Sequence, residues 1–190
     1  MAKAHSDTFT PPFWLRPAMV QTIIASQKFR RSGVHAMEAC AREVILDCGA
    51  DESTQDCSGE AVRLMGSYSE APNSKGLLIL LHGWEGSQDS TYVMSSGRQA
   101  FDNGYSVFRL NFRDHGPTHH LNKALFHSAL FNEVYAGVSG AAALANDKPV
   151  FVAGFSLGGN FALRVAREQA ARPIKNLAHI FAISPVTNPL

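Results

Sequence analysis

Cysteine is scarce in this sequence: Cys40, Cys48 and Cys57 are the only three, and no two form a C-x-x-C pair. That removes the common zinc-site spacings, and an odd count predicts reduced thiols in a cytoplasmic protein. A hairpin would bring Cys48 and Cys57 together, but free thiols are the expected state. Charge is also sparse, at 17% of residues, and balanced to a net +1. Such a chain offers no basic surface for nucleic acid or an anionic membrane. The opening Met1-Ala2-Lys3-Ala4-His5-Ser6-Asp7 lacks the apolar core of a secretory signal, and no apolar run nears the about 20 residues of a transmembrane helix. Heptads, internal repeats, G-x-G-x-x-G, P-loop and H-E-x-x-H patterns are all missing, so no cofactor and no metal are expected.

What is present is the composition of a folded domain. Apolar residues make up 45% of 190, enough for one substantial core. Residues 1–40 read as an N-terminal extension that packs on the core, with a short helix over 18–26 after Pro17. Two strands, 42–48 and 61–67, flank a polar stretch and predict an antiparallel hairpin at one sheet edge. From Lys75 the pattern alternates. Strands are expected at 77–81, 105–112, 149–155 and 177–183, with helices at 90–103, 129–145 and 157–171. The continuous run Leu77-Leu78-Ile79-Leu80-Leu81 suits a strand covered on both faces. Strand–helix alternation with short links predicts an α/β fold with a mainly parallel sheet.

Gly154-Phe155-Ser156-Leu157-Gly158 follows the third of the parallel-type candidates, Pro149 to Ala153, and opens a helix. A serine on a sharp strand-to-helix turn is presented to a substrate as a nucleophile, and glycines at 154 and 158 leave room for that turn. The plainer reading is a glycine-rich turn without chemistry, or an anion site at the helix N-terminus. No Lys stands at P-loop spacing to favour a phosphate.

Acyl transfer at such a serine needs two backbone N–H groups aimed at the developing oxyanion. The residue after the serine, Leu157, supplies one; the loop His82-Gly83-Trp84 after strand 77–81 supplies the other, with Trp84 as donor. The side chain of His82 reads as a tie for that loop, since a triad base belongs near the C-terminus of this layout. Asp114, His115, His119 and His120 invite a metal reading, but their spacing matches no catalytic metal signature. A loop stapled by polar side chains, with His82, Gly83, Asp114 and His115 shaping the substrate pocket, is the better expectation.

Three segments then converge. Leu81 to Ser87 (LHGWEGS), Asn111 to Asn122 (NFRDHGPTHHLN) and Gly154 to Asn160 (GFSLGGN) resemble the YheT-like branch of the α/β-hydrolase superfamily. The early Pro11-Pro12-Phe13-Trp14-Leu15-Arg16 with Gln21-Thr22 is similar to that branch's opening segment. The resemblance implies an α/β-hydrolase fold, a small-molecule carboxylic-ester substrate, lipid or short-chain, and a Ser-Asp-His triad in that chain order. Only the serine maps, onto Ser156.

The positions that would hold the acid and the base have no counterpart, because Asp147 precedes the nucleophile strand and His179 lies within the last one. Residues 41–190 are therefore expected to be the N-terminal portion of such a domain, incomplete as a catalyst. An acyltransferase on the same scaffold, or an inert or merely binding product, are the alternatives. The last strand is expected to leave an open apolar edge through which copies self-associate.

Overall fold

A computed structural model describes residues 10–26, 35–52 and 60–187. Six strands form one mixed sheet in the order β1-β2-β4-β3-β5-β6. They are β1 (Arg42–Ala50), β2 (Ala61–Ser69), β3 (Leu77–Leu81), β4 (Ser106–Leu110), β5 (Val150–Phe155) and β6 (Leu177–Ile183). The hairpin β1–β2 is antiparallel and occupies one edge, and β2 also runs antiparallel to β4. From β4 to β6 every pairing is parallel. This is the expected α/β-hydrolase arrangement.

Period-two side-chain alternation divides the core between the two faces of the sheet. Leu77, Ile79 and Leu81 of β3, Phe108 and Leu110 of β4, and Val150 and Val152 of β5 join one cluster. That cluster is closed by α4 (Phe131–Ala142), through Val134, Val138 and Ala141, and by α5 (Leu157–Glu168), through Phe161, Ala162 and Val165. Leu80, Val107 and Ala153 point the other way, against Val93 and Met94 of α3 (Thr91–Asp102). Met37, fully buried in the short helix α2 (Ala36–Ala39), completes that layer. Glu38 of α2 accepts a 2.7 Å bond from Arg98 of α3. An earlier helix, α1 (Ala18–Ser26), also lies beside α3.

Element ends differ from the sequence expectation for local reasons. The third helix stops at Asp102 because Asn103 caps it and Gly104 turns left-handed at φ +85°. The long helix begins at Phe131, tightens into a 3-10 turn over Ala143–Ala145, and ends on Asn146 at φ 48°. β4 spans Ser106–Leu110 and not 105–112, because Asn111 and Phe112 already belong to the following loop. Both hairpin strands run two residues past the expected ends at 48 and 67.

At the opposite edge, β6 pairs only with β5 among the described residues. Its Phe181 is 46% exposed and borders a shallow groove with Leu78, Tyr105 and Phe151. Burial pushes the Cys48 thiol up to about 12, which keeps it protonated and unreactive. Cys57, and with it the Cys48–Cys57 pairing, lies outside the described residues.

Candidate active site

The chain leaves β3 toward β4 on one side and, from β5, toward β6 on the other. The crevice at the carboxyl ends of β3 and β5 is thus the switch point where open α/β sheets hold ligands. Two loops meet there: the turn from β5 into α5, which carries Ser156, and the loop after β3, His82 to Ser87.

Ser156 has φ 54° and ψ −112°, outside the regions that L residues ordinarily occupy. The turn is fixed on all sides. The Ser156 N–H donates to the Ile183 carbonyl at 2.9 Å, and the Ser156 carbonyl accepts from Asn160 N–H at 3.0 Å. Asn160 Nδ2 in turn donates to the Val186 carbonyl at 2.7 Å. Close backbone approach explains the two elbow glycines. A Cβ on Gly154 would stand 2.0 Å from the Gly158 carbonyl oxygen, and one on Gly158 would stand 2.4 Å from that of His82. Gly158 therefore lets the start of α5 abut the end of β3.

The His82 loop is pinned by its own peptide groups. The imidazole is fully buried; Nδ1–H donates to the Gly83 carbonyl at 2.7 Å, and Nε2 accepts from Phe112 N–H at 3.1 Å. These bonds require the neutral tautomer protonated on Nδ1. Burial, helped by the neighbouring His115, lowers the pKa to about 4 against a bond to Gly83 that raises it. Both nitrogens are occupied, so His82 has no free atom with which to take a proton from Ser156. It joins the loop after β3 to the loop after β4.

Gly83 is equally committed. Its carbonyl accepts from His82 and from Gly86 N–H at 3.0 Å, and its own N–H donates to the Tyr92 hydroxyl at 2.8 Å. Trp84 N–H is the next along the loop, and among the described residues neither it nor Leu157 N–H has a hydrogen-bond acceptor. Each of the two loops that meet at Ser156 thus carries one amide without an acceptor among the described residues. The Trp84 indole is 61% exposed and packs edge-on against Phe126. Phe126 stacks on Phe112 and meets His115 and Phe161, giving the crevice an aromatic floor.

The loop after β4 is stapled by its side chains. Asn111 Oδ1 accepts from Gln88 N–H at 2.7 Å, and His115 Nδ1–H donates to the Arg113 carbonyl at 2.7 Å. Thr118 donates to the His115 carbonyl at 2.7 Å, and Asp114, at φ 59°, pairs with His119 at 2.5 Å. Among the described residues no three His, Cys, Asp or Glu side chains converge on a common point that could hold a metal. Arg113 is fully buried and binds Asp51 at 2.8 Å and Glu133 on α4.

Of the site residues read from sequence, Ser156, Leu157, Gly154, Gly158, His82 and Gly83 lie together where the two loops meet, and Trp84 is the next residue along the His82 loop. His115 lies behind His82, with ring centroids 5.0 Å apart, and Asp114 faces His119. Tyr92 and Phe126 carried no motif that marks them. Among the described residues no imidazole or carboxylate hydrogen-bonds the Ser156 hydroxyl, and Asp147 and His179 stand away from it, on the turn before β5 and within β6.

Residues 76–189 match the family model for the alpha/beta hydrolase fold. The chain belongs to the α/β-hydrolase family. The Synechocystis sp. protein slr0264, provisionally named an esterase, is 28% identical over 160 residues, covering 82% of this chain and 41% of its own. Among solved structures, the Pyrococcus furiosus esterase Pf2001 superposes with a TM-score of 0.57 at 22% identity, over 76% of this chain and 51% of that one. The α/β hydrolase GrgF from a Penicillium species gives 0.59 at 17% identity, over 77% and 46% respectively. At such identities the structural likeness speaks for the fold. The chain spans about half the length of these relatives or less.

Proposed function

We propose that this α/β hydrolase is a serine ester hydrolase that acts through an acyl-enzyme. The observation that carries the reading is Ser156 at φ 54° and ψ −112°, at the meeting of two loops whose Trp84 and Leu157 N–H groups have no acceptor among the described residues. Strain of this kind persists only where its surroundings over-determine it, and it concentrates at working sites. Relatives named as esterases support the same chemistry.

In the proposed reaction, Ser156 Oγ attacks the ester carbonyl carbon and the carbonyl oxygen takes up the negative charge. The Trp84 and Leu157 amides hold that oxyanion. Collapse breaks the bond to the alkoxy oxygen, which leaves as the alcohol after gaining a proton. Water then attacks the acyl carbonyl, releasing the carboxylic acid and restoring Ser156. A hydroxyl needs a general base to become a competent nucleophile. His82 is not that base, because both of its ring nitrogens are engaged, and among the described residues no imidazole hydrogen-bonds the Ser156 hydroxyl.

The NFRDHGPTHHLN loop favours the YheT-like branch, and the exposed Trp84 beside Phe126 favours an ester with an apolar acyl or alcohol part. The test is hydrolysis of p-nitrophenyl butyrate by the full-length protein and its Ser156→Ala variant. Loss of turnover in the variant supports the reading. Equal rates in both would remove it.

A further inference from the structure

Tyr92 lies in the first turn of α3, and its phenol reaches the two neighbours of the serine turn, Gly83 and Phe155. Its hydroxyl accepts from Gly83 N–H at 2.8 Å, and its ring packs on Phe155, the residue before Ser156, with centroids 4.9 Å apart. A Cβ placed on Gly83 would be 3.3 Å from Ser156 Cβ and 3.4 Å from Tyr92 Oη. The serine and the phenol thus border the same glycine. Loop shape follows from this contact: a Cβ on Gly86 would stand 2.7 Å from Tyr92 Oη, so the loop bends around the hydroxyl.

The hydroxyl has one proton to give. Its bond to Gly83 uses it as an acceptor, and among the described residues no acceptor takes its proton. Tyr92 is 38% exposed, so its side chain is not sealed in the core, and the hydroxyl can rotate its proton toward a ligand beside Gly83. A phenol O–H held by an amide that donates to it is a polarised, oriented donor.

We propose that Tyr92 supplies a third hydrogen bond to the oxyanion at Ser156, while its oxygen accepts from Gly83 N–H and so holds the His82–Gly83 peptide beside the serine. The proposal rests on the reading of Ser156 as the nucleophile. No proton is transferred; the phenol remains neutral and its bond strengthens as charge builds on the substrate oxygen. Neutral donors in such sites each contribute on the order of 10²-fold in rate.

The test is the rate at which a fluorophosphonate, whose phosphoryl oxygen occupies the same hole, labels full-length wild-type, Tyr92→Phe and Ser156→Ala proteins. Fluoride leaves as the Ser156 Oγ–phosphorus bond forms. Expected are no labelling of Ser156→Ala and labelling of Tyr92→Phe slowed about 10²-fold with an unchanged melting temperature. Wild-type protein that resists labelling overturns the nucleophile reading and this one with it. Labelling of Tyr92→Phe at the wild-type rate overturns the Tyr92 role alone. Where Tyr92→Phe melts early, 3,5-difluorotyrosine at position 92 decides. Its more acidic phenol should move the alkaline loss of labelling to lower pH, and an unmoved profile contradicts the role.

Discussion

The Ser156 amide donates to the Ile183 carbonyl at 2.9 Å, tying the turn from β5 into α5 to the last residue of the neighbouring strand. That bond, with the Asn160 bond to the Ser156 carbonyl, holds the serine at a positive φ that its side chain disfavours. Backbone strain of this kind costs on the order of 1–3 kcal/mol for a non-glycine residue. Ser156→Gly should therefore raise stability by about 1 kcal/mol after the extra freedom of glycine in the unfolded chain is allowed for, while Ser156→Ala should not. Denaturant midpoints of the three proteins check this. A Ser156→Gly variant less stable than Ser156→Ala contradicts the strain.

Gly158 faces backbone, and backbone cannot step aside as a side-chain tip can. Gly158→Ala would set a methyl group 2.4 Å from the His82 carbonyl oxygen and 2.5 Å from that of Leu81. The start of α5 would have to move off β3, separating the Leu157 and Trp84 amides. A loss of about 3 kcal/mol is expected, at the upper end for overpacking, together with loss of esterase activity in whatever folds. Wild-type activity in Gly158→Ala would show that the two loops need not meet closely.

Acid should loosen the molecule through His82. Its folded pKa of about 4 lies below the ordinary 6.5, chiefly because burial disfavours the cation. The stability this neutral imidazole contributes is complete above about pH 6.5 and drains away as pH falls toward about 4, below which the group adds no further change. A gap of that size corresponds to about 3 kcal/mol. Urea midpoints measured across the window should fall more steeply for wild type than for His82→Gln. Parallel curves would mean that the ring titrates normally.

Arg113 makes the strongest purely structural demand. It is buried, its guanidinium binds Asp51 at 2.8 Å and Oε2 of Glu133, and Glu133 Oε1 has no hydrogen-bond partner among the described residues. Burial raises the pKa of Glu133 despite the opposing pull of Arg113. Removing the cation leaves two carboxylates near one another in the interior. Arg113→Ala should lose about 3–5 kcal/mol, with Glu133→Gln in the same background restoring part of it. Additive losses in the double variant would show that the two residues are not coupled.

The sheet was legible in the sequence because its central strands are buried on both faces and read as unbroken apolar runs. Leu77–Leu81 falls where the residues place it, and so does the half-exposed edge strand Leu177–Ile183, although His179 interrupts its apolar run. The turn at Ser156 was legible because a strand, a G-x-S-x-G and a helix occur in that order, and because glycine is needed where backbones touch. Less was visible in the loop after β4. Its polar residues bond to their own backbone, which no periodicity reports. Tyr92 and the Arg113–Glu133–Asp51 group were hidden for a different reason: their partners lie on separate elements, brought together only by the fold. Tyr92 stands nine residues from the Gly83 it holds, and Arg113 sixty-two from Asp51.

Site mapping of the fluorophosphonate adduct tests the central claim most directly. Full-length protein is labelled, digested and sequenced by tandem mass spectrometry. A single adduct on Ser156, absent from Ser156→Ala, is the expected result. An adduct on another residue, or labelling that persists in Ser156→Ala, would contradict the assignment of Ser156 as the nucleophile.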